Sequence, residues 1–180
     1  MKITKRHLPV SFRVNPAYPN YQNLMKLFED KQTLYEYFLN PGELTKEEIA
    51  DHLEKYDTNL TNIKLTKAEW YPSGLVYILN MSRNGLKKSK GLKKFHRLLQ
   101  VSNDSGMLTR QECVSMIPPL FLDVQKDDLV LDMCAAPGSK TSQILELFAA
   151  NKTLGNLDNI LTGGVVANDM NKKRAYMLTH

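Results

Sequence analysis

Apolar positions in the first eighty residues switch between strand-like and helix-like spacing. Residues 11–14, Ser-Phe-Arg-Val, lie between prolines and predict a short strand followed by a turn. Residues 20–39 repeat apolar side chains at spacings of three, four and seven, which predicts one amphipathic helix ended by Asn40, Pro41 and Gly42. A capping box at residues 45–48 predicts a second helix to about residue 56, and residues 75–79 predict another strand.

The middle of the chain combines a helical apolar stripe with positive charge. The stripe consists of Leu92, Phe95, Leu98 and Leu99. Seven basic residues and no acid lie between residues 83 and 97. A further capping box at residues 109–112 predicts a helix that the two prolines at 118 and 119 end.

The last third changes to an alternating pattern of strand, turn, helix and strand. An apolar strand over residues 129–133 leads into a small-residue turn at 134–139 and a helix from 140 to about 150. A polar loop over 151–163 precedes a second strand at 165–167. This alternation predicts an α/β fold with parallel strands, preceded by an N-terminal extension of mixed helices and strands. We expect the extension to cover residues 1–120 and the α/β part to cover 121–180.

The charge is unevenly distributed over the 180 residues. Residues 1–100 contain seventeen Lys or Arg against ten Asp or Glu, whereas residues 101–180 contain seven against nine. A polyanionic partner is therefore expected to bind the N-terminal part. No apolar run is long enough for a membrane span, the N-terminus does not read as a secretory signal, and the two cysteines have no metal-site spacing. We expect an intracellular protein without metal.

The basic segment allows two interpretations. Its charges could form an ordinary solvated helix face, or they could bind the phosphates of RNA. The absence of any acid in the run, together with the possible stacking side chains Phe95 and His96, favours RNA. The expected RNA-binding residues are Arg83, Lys87, Lys88, Lys93, Lys94 and Arg97.

The turn after the first α/β strand is the best candidate for a cofactor loop. A phosphate-binding loop of the Walker type requires two glycines with four residues between them and a lysine directly after the second, and a dinucleotide loop requires three glycines. Here Gly138 stands alone. The turn suits S-adenosylmethionine better, because that cofactor has no phosphates, and Asp169 after the second strand could accept hydrogen bonds from its ribose. The alternative is a plain strand-to-helix turn, with Asp169 as the cap of the last helix.

The run Leu131-Asp-Met-Cys-Ala-Ala-Pro-Gly-Ser-Lys-Thr141 resembles the cofactor motif of the Nop/Sun RNA (cytosine-5) methyltransferases. The resemblance extends to residues 82–89, 92–96, 110–119, 166–169 and 172–174, and it is greatest to the eukaryotic transfer-RNA branch. It implies a doubly wound Rossmann-like sheet, S-adenosylmethionine as cofactor and RNA, in particular tRNA, as substrate. It implies cofactor binding by Cys134, Ala135, Ala136, Pro137, Gly138, Ser139, Lys140 and Asp169.

Methylation of cytosine at C5 normally requires a cysteine thiolate that adds to C6. The resemblance implies that this cysteine follows a proline, and a second cysteine a threonine, well downstream. This sequence contains neither pair. We interpret Cys113 as a packing residue and Cys134 as a neighbour of the cofactor, so no catalytic residue is assigned.

We therefore expect a truncated fragment that holds only the first two strands of the sheet and is inactive alone. A bare pair of strands would leave Leu129, Val130, Leu131, Val165 and Val166 uncovered. The alternative function is a non-catalytic RNA-binding or regulatory fragment, and the basic segment disfavours a small-molecule methyltransferase. The expected location is the nucleus, with the cytoplasm as the alternative.

Overall fold

The computed structural model describes residues 8–38, 46, 47, 50, 62–150 and 162–178. The predicted helix end at 40–42, nearly all of the predicted second helix and most of the 151–163 loop lie outside the described residues. The chain divides into two compact units, Met1–Glu112 and Cys113–His180. The functional division that we expect near residue 120 stays a prediction.

The first unit is built on a four-stranded antiparallel sheet. Its strands are β1 (Pro9–Val14), β2 (Leu65–Lys67), β3 (Val76–Ser82) and β4 (Leu108–Arg110), in the order β2-β3-β1-β4. Strand β1 lies between β3 and β4, and five of its six residues are buried. The sequence predicted the first and third strands, whereas the three-residue strands β2 and β4 are too short to show an alternating pattern.

Helices cover the apolar side of this sheet. They are α1 (Tyr21–Glu29), the single turn α2 (Lys31–Thr33) with a π-helical turn over Leu34–Phe38, α3 (Arg83–Lys88) and α4 (Lys93–Asp104). The prediction of one helix over 20–39 was wrong, because Asp30 leaves helical geometry at ψ 89° and its carboxylate caps the next turn at Thr33. The predicted apolar stripe of α4 is confirmed, since Leu92, Phe95 and Leu99 are buried in the core.

An aromatic cluster fixes the centre of the first unit. Phe12 of β1 lies 5.2 Å from the ring of Phe28 and 5.8 Å from the ring of Tyr77. The Tyr77 hydroxyl donates to Glu29 Oε1 at 3.2 Å, and burial together with the Glu29 charge raises the pKa of Tyr77. Lys67 Nζ, at 2.5 Å from Glu29 Oε1, completes a polar edge on this cluster. The cluster therefore joins β1, β3 and α1 into one core.

The predicted capping box at 109–112 does not start a helix. Thr109 is instead the middle residue of β4 and pairs with Arg13 of β1. Pairing with a neighbouring strand satisfies the backbone there, so tertiary structure overrides the local capping signal. The next helix, α5 (Cys113–Phe121), continues through Pro118 and Pro119 instead of ending there. Each proline removes one backbone donor, and the helix tolerates this loss for its last turn.

The second unit contains a pair of parallel strands. Strand β5 (Leu129–Asp132) leads to helix α6 (Ser139–Ala150), strand β6 (Gly164–Ala167), helix α7 (Lys172–Ala175) and a 3-10 turn over Tyr176–Leu178. Asp132 and Ala167 are register partners at the carboxyl ends of the two strands. The predicted α/β class, with the first two parallel strands of a Rossmann-like sheet, is confirmed.

The two faces of this pair of strands differ. Val130 and Val165 pack against Ile144 and Phe148 of α6, so one face is covered, contrary to our expectation that both would be bare. The side chains of the other face are largely exposed; Leu129 is 77%, Leu131 58%, Met133 69% and Val166 50% accessible.

Candidate functional site

The cofactor loop, defined here as residues 133–138, lies at the carboxyl ends of the two parallel strands. Ala135 N donates to the carbonyl of Asn168 at 2.8 Å, and Asn168 N donates to the carbonyl of Asp132 at 2.8 Å. Asn168 Nδ2 donates to the carbonyl of Met133 at 3.0 Å. The end of β6 therefore holds the loop that follows β5, which is where open α/β sheets bind their ligands.

Asp169 holds this loop in place by a hydrogen bond to its backbone. Its Oδ2 accepts a hydrogen bond from Ala136 N at 3.2 Å, and its Oδ1 accepts one from Asn171 N at 2.9 Å. Arg174 approaches Oδ2 at 3.7 Å, and the Asp169 side chain is only 6% exposed. Asp169 does not cap the last helix, because Asn171 caps α7. A ribose hydroxyl could reach this carboxylate only by sharing it with these internal donors.

Two further residues support the loop and were not singled out from the sequence. Asp132 Oδ2 accepts from the Thr141 hydroxyl at 2.7 Å, which ties the end of β5 to the first turn of α6. The Arg174 guanidinium donates to the carbonyl of Ala136. Asp132 lies in the string from 131 to 141, and Arg174 lies in the Lys172–Arg174 segment. Only the folded chain shows that both side chains meet at the loop.

Gly138 ends the loop in a conformation that favours glycine. Its φ is 105°, and its N–H donates to the Ala135 carbonyl at 2.7 Å. A Cβ at this position would lie 3.1 Å from Leu178 Cδ2. The backbone therefore requires glycine here, and the following N–H of Ser142 closes onto the Gly138 carbonyl at 2.8 Å to start α6.

The predicted cofactor residues divide into two groups by exposure. Cys134 and Pro137 are exposed, and Gly138, Ser139 and Lys140 are partly exposed, so these five could touch a ligand. Ala135 and Ala136 are each 4% exposed and shape the loop from inside. The loop fits S-adenosylmethionine in that it offers a small-residue turn, a nearby carboxylate and no cluster of glycine N–H groups for phosphates.

The two cysteines differ in position and exposure. Cys113 is the first residue of α5 and is partly buried, and Cys134 is exposed in the cofactor loop. The described residues contain no group of three or more His, Cys, Asp or Glu arranged to hold a metal ion. Within that same part of the chain, no helix is long and apolar enough to cross a membrane.

The six predicted RNA-binding residues all lie on the surface of the first unit. Three are on α3 and three are on α4, and these two helices contact each other. All six are exposed, while the apolar side of α4 is buried. We call this set the basic face; it consists of Arg83, Lys87, Lys88, Lys93, Lys94 and Arg97.

His96 lies beside the basic face, and the charge of Lys87 in that face affects the pKa of the His96 ring. Burial of the ring lowers the pKa of His96, and the positive charges of Arg110 and Lys87 lower it further. Three basic groups from α3, α4 and β4 therefore converge within electrostatic range of one another. This part of the first unit is suited to bind an anion.

The parallel strands and the loop at their carboxyl ends define part of a Rossmann-like fold of the class found in methyltransferases. A family profile described as 16S rRNA methyltransferase RsmB/F matches residues 119–180. A crystal structure of a methyltransferase homolog protein from Pyrococcus horikoshii superposes with a TM-score of 0.55 at 21% identity, over 99% of this chain and 41% of that one. That likeness supports the fold.

Similar sequences identify the family within this class. The chain is 42% identical over 149 residues to the multisite-specific tRNA:(cytosine-C(5))-methyltransferase trm4b of Schizosaccharomyces pombe, over 74% of this chain and 22% of the relative. It is 49% identical over 112 residues to the tRNA (cytosine(34)-C(5))-methyltransferase of Drosophila melanogaster, over 62% of this chain and 14% of the relative. It is 40% identical over 135 residues to the multisite-specific tRNA:(cytosine-C(5))-methyltransferase of Saccharomyces cerevisiae, over 71% and 19%.

The chain belongs to the Nop/Sun family of RNA (cytosine-5) methyltransferases and is similar to its eukaryotic transfer-RNA branch. It spans between 14% and 22% of the length of these three relatives.

Proposed function

We propose that this chain supplies the cofactor loop and an RNA-binding surface to an S-adenosylmethionine-dependent methylation of cytosine C5 in tRNA. The observation that carries the proposal is the cofactor loop, whose backbone is hydrogen-bonded to Asn168 and Asp169 at the carboxyl ends of two parallel strands. The names of the similar proteins support cytosine C5 as the target and tRNA as the substrate class. We also propose a nuclear location, with the cytoplasm as the alternative.

In this proposal the residues of the chain position the cofactor and the RNA. S-adenosylmethionine supplies an activated methyl group on a sulfonium when it is bound. The exposed residues of the cofactor loop, together with Ser139 and Lys140 at the start of α6, hold the cofactor. Asp169 keeps the loop in shape through Ala136 N. The basic face holds the RNA by its phosphates, and this electrostatic attraction carries no sequence information by itself.

We further propose that the 180 residues do not methylate RNA alone. The reaction requires a thiolate placed against C6 of a base that has left its stack. Cys113 starts a helix and is partly buried, and Cys134 lies within the loop that is proposed to hold the cofactor. Purified chain, labelled S-adenosylmethionine and tRNA should therefore give no labelled RNA. Labelling that is lost in Cys134→Ser would overturn this part of the proposal.

Cofactor binding can be tested without activity. Isothermal titration should detect S-adenosylmethionine binding to the wild-type chain, and Gly138→Ala should weaken it by about tenfold or more, because a Cβ is strained at φ 105° and meets Leu178. Gly106→Ala is the matched control, since Gly106 also has a positive φ of 78° but has nothing within 4 Å of its Cβ position. Equal binding by both variants would contradict the proposed site.

RNA binding by the basic face is tested by charge reversal. Lys93→Glu with Lys94→Glu should lower tRNA affinity by at least about tenfold at low salt, and it should flatten the dependence of affinity on salt. Lys26→Glu with Lys64→Glu makes the same change of net charge at exposed positions that do not belong to the basic face. If both pairs lower the affinity equally, only the net charge matters and the basic face is not the binding surface.

A further inference from the structure

A cavity of about 280 Å³ opens in the first unit, bounded by the start of β1, the beginning of α3, the middle of α4 and the end of β4. All of its lining residues belong to the first unit, and none of them belongs to the cofactor loop. Ligand pockets in proteins begin at about 300 Å³, so this cavity is of a size for one small ligand and not for a strand of stacked bases.

Two arginines and a histidine line the cavity on three sides. Arg83 comes from α3, His96 from α4 and Arg110 from β4. Neither arginine forms an ion pair with a carboxylate of the described residues. Glu112, which is exposed, is the one acidic side chain in the lining. An anion placed between the two guanidinium groups would be stabilised by charge-assisted hydrogen bonds.

The remaining wall is apolar with a few hydrogen-bonding groups. Leu8, Val10 and Leu86 supply apolar surface. The Ser11 hydroxyl donates to the Gln111 carbonyl at 2.6 Å, and the Ser82 hydroxyl accepts from Gly85 N at 3.0 Å, so both are occupied within the protein.

The exposed amide of Asn84 is a further hydrogen-bonding group of the lining. It offers both a donor and an acceptor, which can pair with the edge of a nucleobase. An apolar wall, an amide and two arginines together match the three parts of a nucleotide, which are the face of the base, its edge and its phosphate.

We propose that this cavity holds one unstacked nucleotide of the RNA substrate, with its phosphate between Arg83 and Arg110 and its base against the apolar wall. The proposal rests on the proposed function, since it takes RNA as the substrate. It adds a site that distinguishes single-stranded RNA from duplex RNA, because a base that is paired within a helix cannot enter the cavity. The basic face, in contrast, attracts both kinds of RNA through their phosphates.

The test compares two labelled RNAs of equal length, one single-stranded and one a hairpin duplex, by fluorescence anisotropy. Arg110→Gln should lower the affinity for the single strand by about tenfold and change duplex binding by no more than about twofold. Arg83→Gln, at an exposed position, covers the case in which Arg110→Gln fails to fold. Because Arg83 also belongs to the basic face, this variant should lower duplex affinity as Lys93→Gln does and should lower single-strand affinity by a further factor. Lys93→Gln should lower both affinities by similar factors, and Lys26→Gln should change neither.

A second measurement follows the His96 ring by NMR during titration with cytidine 5′-monophosphate. The His96→Gln variant assigns the signals, and the phosphate should move them and raise the pKa of the ring, because it offsets the nearby positive charges. Equal single-strand affinity for Arg110→Gln, Arg83→Gln and Lys26→Gln would overturn the proposal while leaving the proposed function intact.

The remaining outcomes separate the cavity from the proposed function. His96 signals that do not move in millimolar nucleotide would also overturn the proposal. Movement of these signals in a chain that binds no RNA would overturn it as well, and would indicate a site for a free mononucleotide; RNA binding as part of the proposed function would then fail too.

Discussion

Replacement of Asp169 by alanine tests whether this carboxylate holds the cofactor loop. The change leaves the N–H of Ala136 without its acceptor, and Ala136 is only 4% exposed, so the loss should cost about 1–3 kcal/mol. The N–H of Asn171 lies at an exposed residue and can bond to water, so its contribution should be at most about 1 kcal/mol. The Arg174 pair, at 3.7 Å with Arg174 54% exposed, should add about 0–1 kcal/mol.

The resulting loss of about 1–5 kcal/mol should be local, and hydrogen exchange measures it directly. Amides of the cofactor loop should exchange at least about fivefold faster in Asp169→Ala, because 1.4 kcal/mol corresponds to about a factor of ten. Asp169→Asn retains one acceptor oxygen and should show a smaller increase. The same variants should lose affinity for S-adenosylmethionine in the same order, since a mobile loop must be ordered again when the cofactor binds.

Asp127→Ala is the matched control, because Asp127 is an exposed carboxylate in the same unit. If exchange in the loop and cofactor affinity are the same in Asp169→Ala and Asp127→Ala, Asp169 does not brace the loop. If exchange rises but affinity is unchanged, the loop is braced as described but does not determine cofactor binding.

Three further outcomes are expected. Phe12→Ala should lower the free energy of unfolding of the first unit by about 3–5 kcal/mol in urea titration, because it empties the centre of the aromatic cluster, whereas Val101→Ala on the surface should cost less than about 0.5 kcal/mol. The pKa of His96 is lowered in the folded state, so the unfolded chain binds more protons below pH 6.5, and stability should fall as the pH drops through that value. His96→Gln should flatten this dependence of stability on pH between about pH 7.5 and 5.5. An equally steep dependence in the variant would refute the assignment of the effect to His96. The exposed apolar face of β5 and β6 is expected to make the chain self-associate, and Leu131→Lys with Val166→Lys should reduce this association in light scattering. Little stability should be lost, because both side chains are at least half exposed. Association that is unchanged in the variant would show that this face is not the contact.

The local elements of the second unit could be predicted because each is determined by a continuous stretch of sequence. The apolar run at 129–132, the small-residue turn and the amphipathic helix that follows show their structure in their own spacing. The lack of further glycines in the turn excluded the phosphate-binding loops in the same way, since a glycine requirement is a property of the local backbone. The buried stripe of α4 was predictable for the same reason.

Only the tertiary structure decided the features that join distant segments. The local sequence predicts that Thr109 caps a helix. In the structure it pairs with Arg13 of β1, which lies almost a hundred residues earlier. The sequence predicts that Asp169 is free to bind ribose. In the structure its carboxylate already accepts a hydrogen bond from Ala136 N and pairs with Arg174. The cavity between Arg83 and Arg110 requires β1, α3, α4 and β4 to meet. Local spacing specifies which residues share a face, but it contains no information about which faces meet. That choice follows from the burial of apolar surface and the satisfaction of backbone groups across the whole unit.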